Sequence, residues 1–268
     1  MSGFRPLIAP LFVPATRPDR IAKAARSNAD AIIVDLEDAV PAPEKISARE
    51  GLGAFLGDVP VPVFVRVNAV DSEWFAGDMA FARNMNVAGV MLPKTQSSDD
   101  IAAVGSGIAV IGLVETALGV ASLSNICKAA NLRQLAFGSI DYALDVGCLE
   151  ERDALLMARL SIVTQSRAHN LAAPLDGVTV SVSDEAIIQS DADYAVRLGF
   201  GGKLTIHPKQ VDIVTAAMRP SADDLDWARS VCAADDASGG AAVLVDGRMI
   251  DAPVIKRARR ILLRIGTP

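Results

Sequence analysis

Soft metal ligands are scarce in this chain, which carries three cysteines and two histidines among 268 residues. Cys127, Cys148 and Cys232 lie far apart and form no C-x-x-C pair. That spacing argues against a disulfide scaffold or structural zinc site and predicts free thiols in a reduced, cytoplasmic protein. Long apolar runs are missing too. Leu7–Val13 is too short to cross a bilayer, is interrupted by Pro10 and closed by Pro14, and lacks the form of a secretory signal. No membrane association is expected. A formal charge of −6 argues against an extended nucleic-acid footprint, although local basic clusters remain free to bind phosphorylated small molecules. No G-x-G-x-x-G or Walker loop follows the first apolar run, and the absence of a G-x-S-x-G elbow or a Ser-His-Asp order argues against a serine hydrolase.

What is present is alternation. With 51% hydrophobic residues the chain can bury a substantial core. Its apolar runs are 7–13, 31–38, 61–68, 88–94, 109–116, 132–141, 173–178 and 201–208. Helix-length segments separate most of them: 21–27 with Thr16 or Asp19 as its cap, 44–56, 74–85, a segment opened by S-S-D-D, one between Thr116 and Leu132, 152–170 and 184–198. Such alternation predicts parallel strands with crossover helices. A (β/α)8 TIM barrel is the leading reading and an open doubly wound sheet its rival. Polar residues at the ends of many runs favour the barrel, where those ends converge on one site. The barrel is expected over 1–220, with an extension over 221–268. In that extension we expect a helix over 220–234, a turn at D-D-A-S-G-G, a hairpin turning at Asp246-Gly247, and a last helix over 252–265.

Several strand ends are acidic. Glu115 and Asp141 close the fifth and sixth runs, and a buried carboxylate needs a cation, a donor network or solvent. Two oxygen donors without His or Cys at ligand spacing point to Mg2+ as the metal of first choice. In D-L-E-D, Asp35 and Glu37 point the same way; Glu37 has the better claim to the cavity, while Asp35 or Asp38 has a capping or buried-bonding alternative. Arg66 and Asn68 share one face of the third run, so Arg66 meets either a substrate oxyanion or a barrel acid. Arg17, Arg20 and Lys23 follow the first run and Lys94 ends the fourth; they suit either carrier phosphates or a solvated helix face. Asp251 reads as the N-cap of the last helix or as an acid on a lid. His169 and His207 read as structural, and Lys256, Arg257, Arg259, Arg260 and Arg264 as the wet side of the last helix.

The segments LFVPATRPDR, ADAIIVDLEDAV, VRVN, GVMLPK, GLVETALGV, LAFGSIDYALDVG, PLDGV, GFGGKLTIHPKQV and VDGRMIDAP occur in that order between Leu11 and Pro253. The chain resembles the citrate lyase β-subunit-like CoA-ester lyases of the HpcH/HpaI aldolase and citrate lyase superfamily. This resemblance implies a TIM barrel, Mg2+ on Glu115 and Asp141, and a substrate contact from Arg66. It also implies cleavage or formation of a carbon–carbon bond between a CoA-thioester enolate and an α-keto acid, with β-hydroxyacyl-CoA substrates of the malyl-, citramalyl- or citryl-CoA type. Family members often assemble as trimers or hexamers whose C-terminal segment reaches a neighbour, and in relatives such as malyl-CoA lyase an acid matching Asp251 acts on the thioester carbon. Alternative outcomes are a thioester hydrolase and a complex-dependent subunit using an acyl-carrier thioester. One departure stands out: where many members have G-x-E-D-F, this chain has Gly138-Ser139-Ile140-Asp141-Tyr142, which puts substrate preference in question.

Overall fold

The computed structural model describes residues 4–57, 59–85, 87–238, 243–245 and 248–263. It divides into two compact units, Met1–Thr215 and Ala216–Pro268.

In the first unit, eight strands pair in chain order and in parallel: β1 (Leu11–Pro14), β2 (Ile32–Asp35), β3 (Val63–Arg66), β4 (Gly89–Leu92), β5 (Val110–Val114), β6 (Leu132–Phe137), β7 (Ala172–Asp176) and β8 (Gly202–Lys203). The sheet closes on itself. Leu11 bridges Thr205, and the Thr205 N–H donates to the Pro10 carbonyl while the Phe12 N–H donates to the Thr205 carbonyl. The barrel therefore prevails over the open sheet. Between the strands run α1 (Ile21–Ala24), α2 (Lys45–Gly51), α3 (Gly53–Leu56), α4 (Phe75–Asn84), α5 (Ser98–Ala103), α6 (Ala117–Ala121), α7 (Leu123–Ile126), α8 (Ser139–Val146), α9 (Leu156–Ala168) and α10 (Glu185–Leu198). Next comes α11 (Pro208–Met218).

Barrel filling follows the two-residue period of the strands. Ile33, Phe64, Met91, Ile111, Leu113, Ala136, Leu175 and Leu204 form one buried cluster, with Phe4 and Phe12 packed against it. One step further along the same strand faces, Asp35 follows Ile33, Arg66 follows Phe64, and Glu115 follows Leu113. The apolar interior thus hands over to charge at the C-terminal end of the barrel.

The strands are shorter than the apolar runs. Leu7–Pro10 is not a strand, because Pro10 has no N–H and side chains satisfy the preceding backbone instead: Asp30 accepts from the Ile8 and Ala9 amides, and Gln134 brackets Leu7 through its N–H and C=O. The sixth run ends as a strand at Phe137, and Ser139 opens a helix, so Asp141 belongs to the first turn of α8 and not to a strand end. The 44–56 segment is divided between a 3-10 turn, α2 and α3, with Gly51 and Gly53 flanking the break. The segment between β5 and β6 likewise holds two short helices. Neither Thr16 nor Asp19 caps α1, because Arg20 occupies its N-cap position and Asp19 lies in the preceding 3-10 turn, Pro18–Arg20, paired to Arg17. Ser97 and Asp184 do cap α5 and α10.

The second unit contains α12 (Ala222–Ser238), the antiparallel pair β9 (Val243–Val245) and β10 (Arg248–Ile250), and α13 (Ala252–Leu263). Ala228, Val231, Ile250 and Ala258 form its core, flanked by Trp227, Cys232, Val254, Ile255, Ile261 and Leu262. The helix α12 continues through Asp235 where a turn was expected, since the buried Asp235 accepts from Arg259 Nη2 at 2.8 Å. Gly239, Gly240, the Asp246-Gly247 turn, Arg264 and Ile265 lie outside the described residues. No helix among the described residues is long and apolar enough to cross a membrane.

Candidate active site

The registration of β2 against β3 sets Asp35 opposite Arg66. Asp35 takes Arg66 in a fork, with Nε at 2.8 Å and Nη2 at 2.6 Å, and also accepts from the amides of Glu37 and Ala39. Such planar two-point pairs fix orientation as well as charge. Arg66 Nη1 is left facing Glu37 Oε2 at 3.1 Å and Asp38 Oδ2 at 3.3 Å, while its guanidinium lies 5.0 Å from the centre of the Phe12 ring. Burial works against this charge, but the Asp35 bond and the three acids outweigh it and hold the pKa above its usual value. Both readings of Arg66 are thus constrained: the barrel acids hold it, and only Nη1 lies outside the fork.

The D-L-E-D turn is anchored from below. Lys45, packed against Trp74, donates to the Leu36 and Glu37 carbonyls at 2.9 and 2.8 Å. Asn68 is buried and serves the same turn, giving one N–H to the Leu36 carbonyl and another to Asp78, which Arg49 neutralises at 2.9 Å. The parts played by Lys45 and Arg49 are not visible in the sequence, where both read as part of an ordinary helix.

Glu37 and Glu115 differ from Asp35 in how little satisfies them. Glu37 is buried, and desolvation raises its pKa to about 7, with Arg66 opposing and the charge of Asp38 adding. Its Oε2 is close to Arg66 Nη1 yet not aligned for a hydrogen bond, and Lys94 Nζ lies 3.6 Å from Oε1. Glu115 is only 2% exposed. Its Oε1 accepts from the Lys94 amide at 2.8 Å, whereas the buried Oε2 has no hydrogen-bond partner among the described residues. Burial, with the charges of Glu37 and Asp141 adding, lifts its pKa to about 8. Asp141 is raised as well, by burial and then by Asp38.

Two backbone features aim this acid. Lys94 is a non-glycine residue at φ +49°, a left-handed conformation that turns its N–H onto Glu115. Gly138 supplies the space: a Cβ there would sit 2.5 Å from Glu115 Oε2.

Glu115 and Asp141 thus present hard oxygen donors, one of them buried and without a partner, in a place where negative charges repel one another. That donor set fits a hard divalent cation. Among the described residues no group of three or more His, Cys, Asp or Glu side chains is arranged to hold a metal, so such an ion would complete its shell with water or substrate.

Other expected site residues have local partners of their own. Arg17 is forked onto Asp19 at 2.9 and 2.7 Å in an exposed pair. Asp251 sits at the N-cap of α13, where Oδ1 accepts from the Val254 amide at 3.3 Å, and it is exposed. His207 accepts the Lys209 amide and His169 ends α9, both structural positions. The basic residues of α13 are on its exposed side, where Arg257 stacks on Trp227 and Arg259 pairs with Asp235.

A closed parallel barrel with acids and one forked arginine at its C-terminal strand ends is the architecture of an α/β-barrel enzyme. The chain belongs to the HpcH/HpaI aldolase/citrate lyase family, whose model matches residues 9–208. It is 35% identical over 263 residues to the citrate lyase subunit beta-like protein of Mycobacterium tuberculosis, covering 96% of this chain and 94% of that one. It is 32% identical over 265 residues to the (3S)-malyl-CoA thioesterase of Cereibacter sphaeroides, covering 95% and 93%. The crystal structure of CitE from Mycobacterium tuberculosis in complex with magnesium, acetoacetate and coenzyme A superposes with a TM-score of 0.87 at 34% identity, covering 97% of this chain and 98% of that one.

Proposed function

We propose that this chain is a Mg2+-dependent carbon–carbon lyase. Its substrate is a β-hydroxyacyl-CoA of the malyl-, citramalyl- or citryl-CoA type, cleaved to a shorter CoA thioester and an α-keto acid, with Claisen condensation as the reverse reaction. The observation that carries this reading is Glu115, a buried carboxylate with one oxygen fixed by Lys94 and the other without a partner, next to Asp141. The magnesium, acetoacetate and coenzyme A held by the related CitE structure support it. Glu115 and Asp141 would hold the cation, which when bound supplies Lewis-acid polarisation of substrate oxygens and offsets the charge of the two acids.

The chain's own groups divide the remaining work. Arg66, locked by Asp35, offers Nη1 to the substrate oxygen that becomes the keto group. Glu37, beside Arg66 Nη1, accepts the hydroxyl proton, and Asp38 orients water at the rim. As the carbon–carbon bond breaks, its electron pair passes to the thioester enolate. Asp251 then delivers a proton to that carbon, and in reverse removes one. Lys94 and Arg17 bind carrier phosphates or carboxylates at the mouth. We further propose a homotrimer or hexamer in which the extension, 221–268, packs on or completes a neighbour's site.

The test is to supply purified protein with Mg2+, acetyl-CoA or propionyl-CoA, and glyoxylate, pyruvate or oxaloacetate, and to analyse products by mass spectrometry. Formation of a β-hydroxyacyl-CoA is expected; no carbon–carbon product in either direction would sink the reading. The Cereibacter sphaeroides relative, named a thioesterase, favours a second outcome, hydrolysis, which gives free CoA with an intact hydroxyacid. Turnover by the isolated chain separates both from a subunit that needs an acyl-carrier complex.

A further inference from the structure

A second charged cluster lies at the ends of β7 and β8. Asp176 closes β7 and pairs in register with Lys203 of β8, and Arg159 reaches them from α9. All three are buried: Asp176 is 1% exposed, Lys203 2% and Arg159 8%. Arg159 Nε donates to Asp176 Oδ1 at 2.9 Å, and Lys203 Nζ lies 3.5 Å from Oδ2. The Arg159 guanidinium also packs between the rings of Phe137 and Tyr194, 5.4 and 5.7 Å from their centres.

Two cations on one acid are a poor device for cohesion alone. Apolar residues of equal volume usually hold a buried layer at least as well as an ion pair, whose desolvation cost rivals its attraction. What the cluster fixes is one carbonyl: Lys203 Nζ donates to the Gly177 oxygen at 2.6 Å. Gly177 in turn lies directly against Ser139. A Cβ on Gly177 would run into the Ser139 side chain and come within 3.1 Å of the Phe137 carbonyl.

Ser139 is the first residue of α8, and Asp141 follows two residues later. Ser139 is itself buried, with Oγ donating to Glu150 at 3.1 Å. On the other side, Gly138 is in contact range of Glu115, since its Cβ would fall 2.5 Å from Oε2. The pair Gly138–Ser139 is therefore clamped between Glu115 and the carbonyl segment that Lys203 holds.

We propose that Lys203, held by Asp176 and Arg159, is a positioning residue that sets the first turn of α8 and so the place of Asp141 opposite Glu115. This rests on the reading of those two acids as the cation pair. Lys203 touches neither acid; it acts through Gly177 and Ser139.

The test uses the full chain carrying Lys203→Met, which keeps side-chain length and removes the ammonium. Amide hydrogen exchange without Mg2+ reads the placement directly, and titration calorimetry with Mg2+ reads its consequence. Exchange across 138–143 is expected to accelerate more than elsewhere, with Mg2+ affinity about tenfold weaker, the scale on which groups behind metal ligands act. Unchanged exchange across 138–143 overturns the proposal. So does loosening spread equally over β7, β8 and α9, which would mark a packing element alone, and so does unchanged affinity when the wild type binds Mg2+. A wild type that binds no Mg2+ defeats the cation reading, and exchange alone then decides the placement. If Lys203→Met does not fold, Gly177→Ala leaves the three charges in place, presses on Ser139, and is read by the same local change.

Discussion

The ends of β2 and β3 and the ends of β5 and β6 meet at the same mouth, yet they treat their acids in opposite ways. Asp35 spends its oxygens on a forked arginine and two backbone amides. Glu115 has one amide and a bare oxygen. A saturated carboxylate has nothing left to offer a ligand and serves to hold shape. An unsaturated buried one is costly without a ligand and is therefore where a cation has most to gain. The contrast assigns holding of shape to the Asp35–Arg66 fork and cation binding to the Glu115 side.

Removing the arginine strikes the stabilising half hardest. Arg66→Met leaves Asp35 and Glu37 buried against each other without their cation, and unfolding by urea should show a loss of about 3–5 kcal/mol, the usual cost of breaking a buried pair from one side. A loss below about 1 kcal/mol, the scale of exposed pairs, would erase the difference between the halves.

Glu115→Gln should do the reverse. It removes the charge of a buried acid that only the Lys94 amide hydrogen-bonds among the described residues, so the metal-free protein should melt no lower than wild type at pH 8.5, while Mg2+ affinity measured by calorimetry falls by at least about a hundredfold. Functional sites commonly trade stability for binding in this way.

The pH dependence sharpens the same contrast. Glu37 and Glu115 ionise at about 7 and about 8 in the folded chain, above the ordinary 4.5, so the folded protein keeps protons that the unfolded chain has already lost. Their contribution to stability therefore declines as pH rises from about 4.5 towards 8 and levels off beyond it. Thermal melts of metal-free protein should follow that direction. Glu115→Gln should flatten the part between 7 and 8, and a Mg2+-induced rise in Tm should grow over the same range. An unaltered slope in the variant would contradict the cause given for it.

The smallest effect is expected at Lys94. Lys94→Gly keeps the N–H that holds Glu115 and relieves a left-handed backbone, while losing the amine near Glu37. Melting should move by less than about 1 kcal/mol in equivalent stability, since relieved strain and added chain entropy oppose each other. Mg2+ binding should persist, which separates the role of the amide from that of the amine.

Much of this arrangement was legible in the chain itself. The strand periods, the polar residues after each run and the order of the segments point to a barrel with its chemistry at one end. Arg66 could be seen to need an acid, but the choice of Asp35 depends on β2–β3 register, which no local pattern encodes. Asp141 reads as a strand end because Leu135–Phe137 is apolar and no proline breaks the run before it. The Gly138-Ser139 step that starts α8 is short, and its need for glycine arises from Glu115, a residue distant in sequence. Lys203 and Asp176 are inconspicuous in the sequence for a similar reason. Within G-G-K and L-D-G they resemble turn residues, and only the pairing of β7 with β8 buries them together.

Mg2+ titration calorimetry at pH 8 on the wild type and on the Glu115→Gln/Asp141→Asn double variant tests the central claim most directly. The wild type is expected to bind with release of protons, seen as an enthalpy that depends on the buffer's own ionisation heat, and the folded double variant is expected to show no binding. Equal Mg2+ affinity in the two proteins would contradict the assignment of this acid pair.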